Sequence, residues 1–150
     1  MSVKILGLDP GVTTGWALIE VVDNKIDFKS WGETKDMEMI EIADIVEESD
    51  YVVYEEWVTD PRHAQRGAFN QNKMPAARVI GSIRTLYRLT KKPSDRIVKQ
   101  YNHQKPVAYG LAGMKYQKGK QRMHKQDALA HAVFFSVRTL KALPVSNRAS

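Results

Sequence analysis

The chain has 150 residues, with 23 lysines and arginines against 17 acids (net charge +6) and no cysteine. That length suits one domain with a core of its own; the lack of cysteine excludes disulfides and thiolate zinc sites, and no apolar run approaches a membrane span. The first residues pass directly into an apolar run without a signal-type segment, so a soluble, cytoplasmic protein with no membrane partner is expected. Charge is unevenly spread: residues 1–60 carry 4 lysines and 15 acids (net −11), whereas residues 61–150 carry 19 lysines and arginines against Asp95 and Asp127 alone (net +17). A basic half around a few placed acids suits a polyanionic partner brought to a cation-binding centre.

In chain order, Lys4–Leu8 is an apolar run of β-formers that ends on Asp9. Pro10-Gly11 and Gly15 then turn the chain back into Trp16–Val22, which predicts a hairpin with a carboxylate on an inner strand. A buried carboxylate requires a cation, a metal or a proton beside it. Asp23-Asn24 reads as a reverse turn into a third strand, Lys25–Trp31, with clean alternation. Residues Met37, Ile40, Ile42, Ala43, Ile45 and Val46, spaced among acids, predict an amphipathic helix over 37–48. Tyr51–Trp57 is a short strand closing in acids. Because it follows a helix, it is expected to lie parallel to the first strand, with its acidic end beside Asp9. Glu55 and Glu56 point to opposite faces, so one of the two joins Asp9.

Residues 58–73 lack any period and read as a mobile loop. Pro75 is expected to open a helix to Thr90, with Ala76, Val79, Ile80, Ile83, Leu86 and Tyr87 facing the core and Arg78, Arg84 and Arg88 outside. Gly81 in its middle is expected to mark a close helix contact. Lys91 to Ser94 ends it, Arg96–Gln100 forms a fifth strand, and residues 101–120 form short helical pieces joined by basic loops. A last helix over 123–140 turns Ala128, Leu129, Ala132 and Phe135 inward. The domain is thus expected to span residues 1–143, with 144–150 a flexible tail.

That last helix carries His124, Asp127 and His131 within about 60° of one another, at 100° per residue. Asp127 is the sole acid after Lys105. An acid so isolated among lysines, beside small apolar residues, is better explained as a ligand than as surface charge. His124 is the better ligand candidate of the two histidines, and His131 is expected to support or pack.

The ordered set Gly7-Leu-Asp9-Pro-Gly11-x-x-Thr14-Gly15-Trp16, the strand closing at Glu55, Val98-Lys99-Gln100 and His124-x-x-Asp127-Ala-Leu-Ala-x-Ala132 resembles the RuvC-type Holliday junction resolvases of the RNase H-like superfamily, compact phage-encoded members included. The resemblance covers nearly the whole chain. It implies an RNase H-like α/β fold, a mixed five-stranded sheet of three antiparallel and then two parallel strands flanked by helices. It further implies Asp9, Glu55, His124 and Asp127 as ligands of two divalent ions, and Lys99 as a basic residue acting in cleavage. The activity implied is paired symmetric nicking of four-way or other branched DNA by a homodimer, leaving 5′-phosphate ends, in a bacterial or phage-infected cell. The helix from Pro75 to Thr90 is the candidate dimer interface. Oxygen-rich ligation favours Mg²⁺, with Mn²⁺ a substitute because of the imidazole. The basic half offers Lys105, Lys115, Lys118, Lys120, Arg122, Arg62 and Arg66 for DNA phosphates, with Trp57 and Phe69 as candidates for the junction centre. The interval from Lys99 to Lys105 is shorter than in the bacterial enzymes.

Three rival readings remain: a nuclease of the same fold acting on structured RNA or an RNA-DNA hybrid, a non-catalytic junction-binding module, and a phosphotransferase suggested by Asp-x-Gly-x-x-Thr-Gly. The last needs two lobes around a nucleotide where this length provides one, so no nucleotide cofactor is expected.

Overall fold

A computed structural model describes residues 2–56, 70–117 and 123–145. Strands β1 (Ser2–Asp9), β2 (Thr14–Val22) and β3 (Lys25–Thr34) form an antiparallel meander. Asp23 and Asn24 turn β2 into β3 with φ of 51° and 64°, the left-handed pair that a tight two-residue hairpin requires. Helix α1 (Ala43–Glu48) then leads to β4 (Tyr51–Glu56), which runs parallel to β1. Helix α2 (Asn70–Leu89) leads to β5 (Ile97–Tyr101), parallel to β4, and helices α3 (Lys105–Leu111) and α4 (His124–Arg138) follow. The sheet order β3-β2-β1-β4-β5 places β1 at the centre.

Period-two alternation sorts the strands between two cores. Leu6, Leu8, Val52 and Tyr54 face Val79, Ile80, Ile83 and Tyr87 of α2, with Val46 of α1 between them. Ile5 and Val53 face the other way, onto Ala132, Val133 and Phe135 of α4. Helix α4 lies unusually close to the sheet because glycines floor it. A Cβ on Gly7 would stand 2.1 Å from the Ala128 carbonyl oxygen, and one on Gly15 would stand 2.1 Å from the His124 carbonyl carbon.

Five sequence expectations are corrected. The helix expected from Met37 exists only over Ala43–Glu48. The Asp36 carboxylate accepts the backbone N–H groups of Glu38 (3.1 Å) and Glu41 (3.0 Å), local bonds that compete with helix. Met39 is buried there with φ 62°, and Ile40 points outward, 69% exposed. Helix α2 begins at Asn70, so Pro75 lies inside it; proline has a helical φ and removes only one N–H near that end. Gly81 marks no contact, since an added Cβ would meet nothing within 4 Å. The last strand has the expected length but begins one residue later, because Arg96 closes a 3₁₀ turn, and the last helix, His124–Arg138, is shorter than expected.

Beyond α4, Ala142 is buried, the Leu143 N–H bonds the Asn24 carbonyl at 2.8 Å, and Val145 packs against the α4-side core. Most of the expected loop 58–73 and residues 146–150 of the expected tail lie outside the described residues. Among the described residues no helix is long and apolar enough to cross a membrane.

Candidate active site

The site forms where β1 and β4 end side by side. Leu8 pairs with Tyr54, so the next residue of each strand, Asp9 and Glu55, emerges at the same level. Alternation turns Glu55 toward α4, where it is 3% exposed. It turns Glu56 to the opposite face, where it pairs with Lys99 at 3.5 Å. Helix α4 brings His124, Asp127 and His131 over the same strand ends, on the floor made by Gly7 and Gly15. Strand β5 adds Gln100, and α3 adds Lys105 and Tyr109, one helical turn apart and both buried.

These groups form two linked networks. His124 Nδ1 lies 2.8 Å from Asp9 Oδ2. His131, fully buried, sets Nε2 2.8 Å from Glu55 Oε1 and Nδ1 3.0 Å from Gln100 Oε1. The Lys105 ammonium reaches Glu55 Oε1 at 3.1 Å and Asp127 Oδ2 at 3.5 Å, while the Tyr109 hydroxyl donates to Asp127 Oδ1. Glu55 Oε2 is buried without a hydrogen-bond partner, the one such side-chain atom among the described residues.

The ionisation states follow from these surroundings. Burial pushes the Asp9 carboxyl above its ordinary range against the His124 bond, and the Glu55 and Asp127 charges add to the rise. For Glu55, the upward push of burial is overcome by the His131 bond and the Lys105 charge, which hold it below the usual range. Lys105 is the converse: burial acts downward, but the Glu55 and Asp127 carboxylates hold it above the lysine norm. The bond to Asp9 raises His124.

Three carboxylates and an imidazole are a hard donor set suited to a small divalent cation. The unpartnered Glu55 Oε2 is a buried acceptor of the kind such an ion would satisfy. Among the described residues, however, no three His, Asp or Glu side chains gather closely enough to hold an ion directly. The reason is visible: Lys105 stands between Glu55 and Asp127, and His124 occupies an oxygen of Asp9. The donors fit a metal, and the protein's own cations balance them in this arrangement.

Of the residues singled out in the sequence, Asp9, Glu55, His124 and Asp127 come together here. Lys99 does not, being on the far face of the sheet with Glu56. Lys105, expected at the DNA surface, is 4% exposed inside the acid cluster. Lys115 is exposed on the chain beyond α3. Trp57, Arg62, Arg66, Phe69, Lys118, Lys120 and Arg122 lie outside the described residues. Sequence reasoning missed Tyr109 and the role of Gln100. The i,i+4 spacing of Lys105 and Tyr109 was the available signal for the first.

A mixed five-stranded sheet in this order, with helices on both faces, is an RNase H-like fold. Among solved structures, the chain is similar to T. thermophilus RuvC in complex with Holliday junction substrate. The TM-score is 0.62 at 18% sequence identity, over 95% of this chain and 99% of that one. Comparison with protein-family models gives no match, and neither does a search of the curated proteins.

Proposed function

We propose that the chain is a divalent-metal-dependent, structure-selective endonuclease that cuts four-way junctions and other branched DNA. The observation that carries this is the buried carboxylate cluster at the ends of β1 and β4, with Glu55 Oε2 unpartnered, on a fold shared with a protein solved on a Holliday junction. Asp9, Glu55, Asp127 and His124 would hold the metal, two Mg²⁺ ions or Mn²⁺ in their place. When bound, such ions neutralise the negative charge that builds on phosphoryl oxygens during hydrolysis.

The chain's own residues do the rest. The parallel strand ends fix Asp9 and Glu55, Tyr109 and Lys105 hold Asp127, and His131 holds Glu55. The side chain of His124 is 51% exposed whereas that of Asp9 is 9% exposed, so a phosphate approaches over His124 with the carboxylates behind it. The basic residues beyond position 60 supply affinity for the DNA backbone without reading sequence. Symmetric nicks with 5′-phosphate ends require two sites facing one junction, hence a homodimer. The outer side of α2, where Met74 and Leu89 are both more than 70% exposed, supports it as the interface.

The test is cleavage of a synthetic four-way junction beside linear duplex and RNA-DNA hybrid, with and without Mg²⁺. Metal-dependent paired nicks in the junction are expected, with binding that weakens steeply as salt rises. Preferential cutting of the hybrid, or cutting indifferent to branching, would overturn the reading.

A further inference from the structure

The two oxygens of Glu55 have different surroundings. Oε1 receives a hydrogen from His131 Nε2 at 2.8 Å and from Lys105 Nζ at 3.1 Å. Oε2 is buried and receives none. On the far side of the imidazole, Nδ1 meets the Gln100 side-chain amide at 3.0 Å. An imidazolium donates from both nitrogens to these acceptors, and a neutral ring does the same work once the Gln100 amide is turned so that its NH₂ faces Nδ1. In either arrangement Nε2 carries the hydrogen that Glu55 accepts. The neighbours of His131 on α4 are Ala130 and Ala132, both buried and apolar, so the polar anchors of the imidazole are those two side chains from β4 and β5.

We propose that Gln100 and His131 are a positioning pair: they commit Glu55 Oε1 to the protein and so present Oε2 alone to the divalent cation. The inference rests on the metal-centre reading above and adds a selectivity to it. Mg²⁺ demands near-ideal octahedral geometry and takes carboxylates sparingly, whereas Ca²⁺ accepts six to eight oxygens and readily uses both of one carboxylate. A Glu55 restricted to one oxygen therefore favours the smaller ion.

The experiment is calorimetric titration of the full chain with Mg²⁺ and, separately, Ca²⁺, with folding of each variant checked by circular dichroism. His131→Leu is expected to weaken Mg²⁺ binding by about tenfold or more while Ca²⁺ binding falls by less than about threefold. His131→Gln, which restores an N–H donor, should recover most of the Mg²⁺ affinity. Gln100→Met keeps the imidazole and the side-chain volume while removing its outer partner. It should shift the Mg²⁺-to-Ca²⁺ ratio in the same direction by a smaller factor, and it carries the test should His131→Leu fail to fold. Equal losses for the two ions, or a folded Gln100→Met with an unchanged ratio, would overturn the positioning role while leaving the metal centre intact. A wild-type chain that binds neither ion would overturn the metal-centre reading and this inference together.

Discussion

Replacing Lys105 by Met tests whether an internal cation holds the site together. Methionine keeps the length and the apolar stem and removes the ammonium, leaving Glu55 and Asp127 buried, with side-chain exposures of 1% and 9%. Removing one partner of a buried ion pair costs about 3–5 kcal/mol, mostly because the abandoned charge stays buried. Here Glu55 keeps His131 and Asp127 keeps Tyr109, so the low end, about 3 kcal/mol, is expected. For a chain of this size that lowers Tm by roughly 6–12 °C. On the proposed metal reading Mg²⁺ would then offset the same carboxylates, and the variant should regain more stability from added Mg²⁺ than wild type does. Chemical and thermal unfolding with and without Mg²⁺ measure both effects. A loss under about 1 kcal/mol, the size of an exposed pair, would refute the claim that Lys105 is a buried counter-charge.

Asp9→Asn is expected to abolish cleavage, to leave junction binding nearly intact, and to stabilise the cation-free fold. Burial raises the Asp9 carboxyl, so the folded state holds that proton more tightly than the unfolded chain. The penalty is absent below about pH 4 and grows as pH rises through the raised value, so denaturant midpoints of the two proteins should converge in acid and separate by about pH 8; a wild type at least as stable as the variant at that pH would count against the assignment. Gly7→Ala should destabilise by about 3 kcal/mol or more, because its Cβ would meet backbone. Gly81→Ala, with open space around it, should stabilise by about 1 kcal/mol, and urea midpoints that fail to separate the two would undo the account of α4 packing.

The parts of the site that follow from a single element's period were legible in the sequence. Alternation along β1 and β4 put Asp9 and one of Glu55 and Glu56 on a shared face, and the helical angle grouped His124, Asp127 and His131. What escaped depends on how elements close on one another. Lys105 sits in a lysine-rich segment and reads as surface; its burial arises only when α3 folds its Tyr109 face over Asp127. Gly7 and Gly15 read as strand and turn residues, but their role as the floor of α4 depends on the distance between layers. The shortened α1 was a local failure of the helical pattern, since the bonds that Asp36 accepts from the Glu38 and Glu41 N–H groups outcompeted an apolar spacing that looked helical.

The electrostatics divide the cluster into two unequal halves. On one side Asp127, Lys105, Tyr109, His131 and Glu55 Oε1 satisfy one another, with burial of the charges offset by fixed donors. On the other, burial holds the Asp9 carboxyl above its ordinary range, Glu55 Oε2 has no hydrogen-bond partner, and the half-exposed His124 bonds Asp9. Among the described residues, the carboxylate oxygen left without a partner therefore lies at the mouth, between the ends of β1 and β4. On the proposed reading Asp9, Glu55 Oε2 and the half-exposed His124 would hold the first divalent ion there. In the closed half Lys105 stands between Glu55 and Asp127, so on the same reading these residues would hold a second ion more weakly. Titration of Mn²⁺ by paramagnetic resonance should then resolve two unequal affinities in wild type, and Lys105→Met should narrow the gap by strengthening the weaker. Two equal sites in wild type, or a gap that Lys105→Met leaves unchanged, would show that the asymmetry of the resting charges does not govern cation entry.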